Sequence, residues 1–119
     1  MPSAAKQKLS ASVDGRNIKV VATASAGTTI HTAVTGVVVG TFDEIYLEAF
    51  NSSAVPIVIQ VQWGNTVAPD DNVIMTIAPQ VGFVPVVNGL ILQNGAIVRC
   101  FASVANVIML NGFVNAISA

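Results

Sequence analysis

Hydrophobic and polar residues alternate with period two along most of the chain. "VPIVIQVQW" is the clearest case: Val55, Ile57, Ile59, Val61 and Trp63 share one face of an extended segment, and Gln60 and Gln62 take the other. Glutamine on the outer face marks a strand with one side on a core and one in water, as antiparallel sheets allow. "EIYLEAF" repeats the pattern, with Ile45, Leu47 and Ala49 inward and Glu44, Tyr46, Glu48 and Phe50 outward. In "IVRCFA", Val98, Cys100 and Ala102 form one face and Ile97, Arg99 and Phe101 the other. The chain is rich in Val, Ile and Thr, whose branched Cβ packs well on a pleated surface. Strands are predicted at 18–24, 28–34, 36–40, 44–50, 56–63, 72–78, 83–87, 90–93, 96–102 and 106–117. No ten-residue segment combines helical periodicity with helix-favouring composition.

Turn chemistry supports these divisions. Asn88-Gly89 and Asn94-Gly95 read as tight turns, because both residues tolerate positive φ. Gly64-Asn65 ends the Trp63 strand, and Asn111-Gly112 marks either a hairpin or a bulge. Eight to ten short strands with such turns predict a single all-β domain over 18–119, an antiparallel β-sandwich or jelly roll. Residues 1–17 are poor in apolar side chains and read as an N-terminal arm.

Composition adds a constraint on how the domain lives. Of 119 residues, 53% are hydrophobic and only 9% charged, against about 25% charged in typical soluble domains. The apolar excess fits a self-associating subunit or one seated on a larger assembly. No apolar run approaches the ~18 residues of a spanning helix, and with 6% aromatics the girdles of a membrane barrel are not expected. A membrane partner is therefore not expected. Charge is unevenly placed. Lys6, Lys8, Arg16 and Lys19 crowd the first 19 residues, and Arg99 is the only later cation. This basic arm suits docking onto an acidic protein surface or another copy. It has no aromatic residue for base stacking, so nucleic acid is not an expected partner. The single cysteine, Cys100, excludes an internal disulfide, and "MPSAAKQKLSASVDG" lacks the apolar region of a secretion signal. Both point to folding in a reducing cytoplasm.

Candidate chemistry is sparse. Asp70 and Asp71 are adjacent, so in extended chain they point to opposite sides; "APDDN" reads as a turn rather than a calcium site. Trp63 then fills the core at the end of its strand. Glu44 and Glu48 share a strand face about 13 Å apart, which fits neither geometry of a glycosidase pair. His31, the only histidine, alternates with Thr29, Ala33 and Thr35 and reads as exposed. Cys100 reads as a buried, inert thiol. Arg99, between Ile97 and Phe101, either pairs with an acid across a subunit contact or snorkels to water. Glycine-rich phosphate loops are missing. No catalytic, metal or cofactor-binding set is expected.

Six segments together carry a resemblance: "LSASVDG", "DEIYLEAFNSS" leading into "VIQVQWGNT", "PDDNVIMTIAP", "NGLILQNGAIVRCFAS" and "NVIMLNGFVNAI". With them the chain resembles small β-rich virion proteins of tailed bacteriophages, the head decoration or cement type. The resemblance implies a sandwich or jelly-roll protomer, often trimeric, that clamps neighbouring major capsid proteins at symmetry axes on the outer capsid surface. It implies no shared catalytic residues. On this expectation Lys6, Lys8, Arg16 and Lys19 contact the capsid, and Tyr46, Phe50, Arg99 and Phe101 form the subunit interface. The alternatives are a minor neck or tail component and a carbohydrate-binding sandwich, the latter needing an exposed aromatic platform.

Overall fold

The protein is described here by a computed structural model covering residues 2–119. Nine strands form two antiparallel sheets packed face to face, with no helix among the described residues. The strands are β1 (Ser3–Lys8), β2 (Ile18–Lys19), β3 (Thr28–Thr32), β4 (Phe42–Asn51), β5 (Ile57–Gly64), β6 (Asn72–Ile77), β7 (Val84–Leu92), β8 (Ile97–Ala102) and β9 (Ile108–Ser118). The first sheet runs β1-β9-β4-β7, with β2 also on β9; the second runs β3-β8-β5-β6. β1 and β2 pair with successive stretches of β9, Phe113–Ser118 and Met109–Leu110, so together they act as one interrupted strand. Counted that way, eight strands interleave between two four-stranded sheets in the order of a jelly roll.

Period-two patterning produces the core. β4 alternates without a break, burying Asp43, Ile45, Leu47, Ala49 and Asn51 and leaving the residues between them half-exposed. Ile57, Ile59 and Val61 of β5 and Val98, Cys100 and Ala102 of β8 meet them from the second sheet. Ile108, Leu110 and Val114 of β9 and Leu9, Ile18, Val20 and Ile30 complete the layer. The large fully buried side chains are aliphatic apart from Gln62, and Trp63 packs only partly buried at the core's edge. The β4–β9 ladder runs ten residues in register, from Phe42↔Ile117 to Asn51↔Ile108.

Several local expectations change. Residues 36–40 are not a strand but an exposed loop, with Gly36 and Gly40 bracketing Val37–Val39. Asn88-Gly89 is not a hairpin turn. The predicted strands 83–87 and 90–93 are one strand, β7, whose register against β4 shifts between Asn88 and Leu90; Gly89 takes the bulge at φ +82°. Asn94-Gly95 does form the turn into β8, with both φ values positive. Asn111-Gly112 is neither hairpin nor bulge, because β9 runs straight through it. Gly112 sits there at φ +153°, where a Cβ would overlap the Tyr46 carbonyl oxygen. Close approach of the β4 backbone is what requires glycine at this position. Extended chain after Ile18 lasts two residues rather than seven.

Candidate functional site

The outer face of the first sheet concentrates the side chains that could act on a partner. Cross-strand register sets them in rows. Lys8, Phe113, Tyr46 and Asn88 line up across β1, β9, β4 and β7. The next row runs Lys6, Asn115, Glu44 and Ile91. Lys6 Nζ lies 4.2 Å from the Phe113 ring centroid, and Phe113 stacks on Tyr46 at 4.6 Å with 15° between the planes. The Tyr46 ring lies against Gly89, where an added Cβ would come within 3.1 Å of the phenol oxygen. Tyr46 Oη donates to Glu44 Oε1 (3.0 Å), which also accepts from Asn115 Nδ2 (3.1 Å). That hydrogen bond, ahead of desolvation and the carboxylate's charge, raises the phenol pKa above its ordinary value. Farther along the face, Phe50 meets Phe83 at 6.2 Å between centroids.

Alternation thus places Phe42, Tyr46, Phe50 and Phe113 on this face, with Phe83 beside Phe50. That is five of the chain's seven aromatic residues. The Tyr46 and Phe113 ring faces are engaged by each other, by Lys6 and by Gly89. This pair therefore offers half-exposed edges to a broad contact rather than a free plate for stacking a sugar ring.

Three of the four expected capsid-contact cations lie here. Lys6 and Lys8 share a side of β1, and Lys19 faces outward opposite Met109, itself opposite Phe50. Arg16 sits in the excursion between β1 and β2, exposed, where Ser12 Oγ donates to its carbonyl (2.7 Å). The expected subunit-interface residues divide. Tyr46 and Phe50 accompany the lysines, whereas Arg99 and Phe101 lie on the outer face of the opposite sheet. Arg99 Nη1 donates to Thr29 Oγ1 across the β3–β8 pair (3.2 Å). Cross-strand register brings Lys6, Phe113, Tyr46 and Asn115 together. Phe113 and Asn115 were missed because the sequence does not disclose which strand lies beside β4.

Other candidates resolve into structural roles. The chain from 68 to 71 is a turn: Asp71 Oδ2 accepts from Val67 N (3.1 Å), and Asp71 N donates to Val67 O (2.8 Å). Among the described residues, no three His, Cys, Asp or Glu side chains cluster as a metal set. His31 is buried, contrary to its alternation. A bulge between Thr29 and His31 turns both Ile30 and His31 inward. Its Nδ1 accepts from Ser10 N (3.0 Å), so its Nε2 carries the proton donated to Asp43 Oδ2 (2.7 Å). Asp43 Oδ2 also accepts from Val34 N (3.2 Å). A cleft lined by Lys8, Ser10, Thr32 and Ala116 opens beside this pair. With both ring nitrogens engaged, the imidazole has no lone pair free to take a proton from a nucleophile. It ties the segment after β1 to β3 and β4.

Gln62, expected on a wet face, is 1% exposed. The loop before β3 covers it: Gln62 Oε1 accepts from Gly27 N and Nε2 donates to Ser25 Oγ, both at 2.8 Å. Cys100 is fully buried, and desolvation pushes its thiol up to about 12. No family model, curated protein or solved structure matches the chain.

Proposed function

We propose that this chain is a structural, non-enzymatic virion subunit of the tailed-phage head decoration type. It is made in the bacterial cytoplasm and seats on the outer surface of the capsid as a homo-oligomer, with a trimer the expected form. There it clamps neighbouring major capsid proteins. The observation that carries the reading is the outer face of the β1-β9-β4-β7 sheet. It is broad, half-exposed, rich in aromatic edges and fringed by Lys6, Lys8 and Lys19. Such a face suits a wide contact with an acidic protein lattice. The jelly roll is a fold that recurs in capsid and lectin domains, so it is compatible with the reading without selecting it.

The mechanism is thermodynamic. A subunit that binds the assembled lattice but not its separated parts shifts the equilibrium toward the lattice by mass action. An oligomer that engages several capsid proteins at once multiplies weak contacts into slow release.

The deciding experiment is the copy number of this chain relative to the major shell protein in purified particles, by quantitative mass spectrometry. A ratio near that of the shell protein supports decoration. A handful of copies moves the chain to the neck or tail, and its absence removes the virion reading. Replacing Lys6, Lys8, Arg16 and Lys19 together by alanine is expected to weaken capsid binding with the fold intact; unchanged binding refutes the cationic contact.

A further inference from the structure

One end of the sandwich carries an apolar patch where the 36–40 loop meets β7, the edge of the first sheet farthest from the lysines of β1. The 36–40 loop exposes Val37, Val38 and Val39 by 64%, 62% and 92%. It is tied to the neighbouring turn, where Asn94 N donates to Gly36 O (2.9 Å). Val39 and Phe42 border the same hollow as Ile91 of β7, and Leu90 and Ile91 are themselves 51% and 53% exposed. Residues 32–42 and 84–98, which build this end, contain no Asp, Glu, Lys or Arg; the nearest charge on the face is Glu44, opposite Ile91, whose carboxylate accepts from Tyr46 and Asn115. The patch thus joins a loop the sequence marks as a strand to the outermost strand of a sheet.

We propose that this patch is the contact between copies of the chain, with the Val37–Val39 loops meeting around the symmetry axis of the oligomer. It deepens the self-association half of the reading above and does not depend on a capsid. Three observations select another copy as the occupant. The first is area. At about 100 Å² of apolar side chain per aliphatic residue, the five exposed aliphatics present roughly 300 Å². That is a large share of the apolar part of the ~800 Å² that a standard interface removes from each partner. The second is charge. Around a rotation axis each residue meets its own symmetry mates, where like charges would repel; a neutral apolar patch is compatible with itself. An acidic lattice, by contrast, would find no cation here, since Lys6 and Lys8 lie on β1, at the opposite edge of the sheet from β7, and Lys19 lies on β2 against β9. The third is the strand edge. β7 is outermost in its sheet, and Leu90–Leu92 lacks the charges and prolines that block edge pairing.

Light scattering and sedimentation velocity on the purified chain test this, with Val38→Lys and Ile91→Lys as separate variants. Both positions are exposed in the single chain, and circular dichroism checks the fold of each, so either variant can carry the test alone. The wild type is expected at two or more times 12.3 kDa, as a whole multiple. Each lysine should weaken association at least about tenfold, equal to ~1.4 kcal/mol. Val13→Lys, exposed but outside the patch, should leave association unchanged. A wild type still monomeric at ~100 µM, far above the dissociation constant of a stable interface, overturns the proposal. So does an oligomer indifferent to both lysines. Sedimentation of a monomer with phosphatidylcholine vesicles, lost in Val38→Lys, would assign the patch to lipid and also overturn it. A monomer in solution with shell-level copy number leaves the decoration reading standing; an oligomer with no place in particles does the reverse.

Discussion

Removing the His31 imidazole is the sharpest test of how the N-terminal segment is held, and His31→Ala is the variant that does so. His31 is 4% exposed and Asp43 6%. Alanine deletes the 2.7 Å bond to Asp43 and the acceptor for Ser10 N, and leaves the buried carboxylate with Val34 N as its remaining hydrogen-bond donor. Breaking a buried pair from one side costs about 3–5 kcal/mol, a large part of the 5–15 kcal/mol that keeps a domain folded. At about 2.1 cal/mol/K per residue, unfolding 119 residues carries an entropy of ~250 cal/mol/K, so each kcal/mol moves Tm by about 4 °C. The expected fall is about 12–20 °C on that scale. Asp43→Asn keeps an acceptor for Nε2–H and should cost only about 1–2 kcal/mol. The double variant His31→Ala/Asp43→Ala leaves no buried charge, so it should cost less than the sum of its single variants by about 2 kcal/mol. Urea unfolding followed by Trp63 fluorescence and circular dichroism, at one fixed protein concentration, measures all of these. A His31→Ala loss under about 1 kcal/mol, or strict additivity in the double variant, would refute the argument.

Four further outcomes are expected. Gly112→Ala drives a methyl group into the Tyr46 carbonyl and strains φ at +153°; it should cost more than about 3 kcal/mol, seen as loss of soluble, folded chain. Gln62→Ala leaves Gly27 N and Ser25 Oγ without their partner and should cost about 1–3 kcal/mol in urea unfolding, with faster amide exchange at Gly27. Lys6→Ala removes the cation over Phe113, which should speed amide exchange across Ser3–Lys8 while moving global stability by no more than about 1 kcal/mol. The Cys100 thiol, pushed up to about 12 from an ordinary 9.0, should resist thiol reagents in the folded chain. Its folded pKa lies above its unfolded one, so the unfolded chain releases the proton first. Its contribution is therefore whole below pH 9 and is lost toward pH 12, at about 1.4 kcal/mol per pH unit. Cys100→Ala should flatten that slope, and an unchanged slope would count against burial of the thiol.

Alternation alone determined the strands and their inward faces at Ile45–Leu47–Ala49, Ile57–Ile59–Val61 and Val98–Cys100–Ala102. This works because side-chain direction in a strand is a local property with period two, and burying the apolar side is the dominant stabilisation. The "APDDN" turn was legible for a similar reason, since proline and aspartate act on the backbone beside them. Tertiary structure decided what depends on a neighbour. A bulge against β8 reversed His31, a loop laid over β5 buried Gln62, and pairing with β4 carried β7 through Asn88-Gly89 and β9 through Gly112. The aromatic row was beyond the sequence because Lys6 and Phe113 are neighbours only once β1 has paired with β9. The Val37–Val39 segment has the composition of a strand, but no partner strand lies beside it, and without a ladder β-branched residues remain a loop. Strand identity is written in a few adjacent residues; surface identity is written in register, which joins residues far apart in the chain.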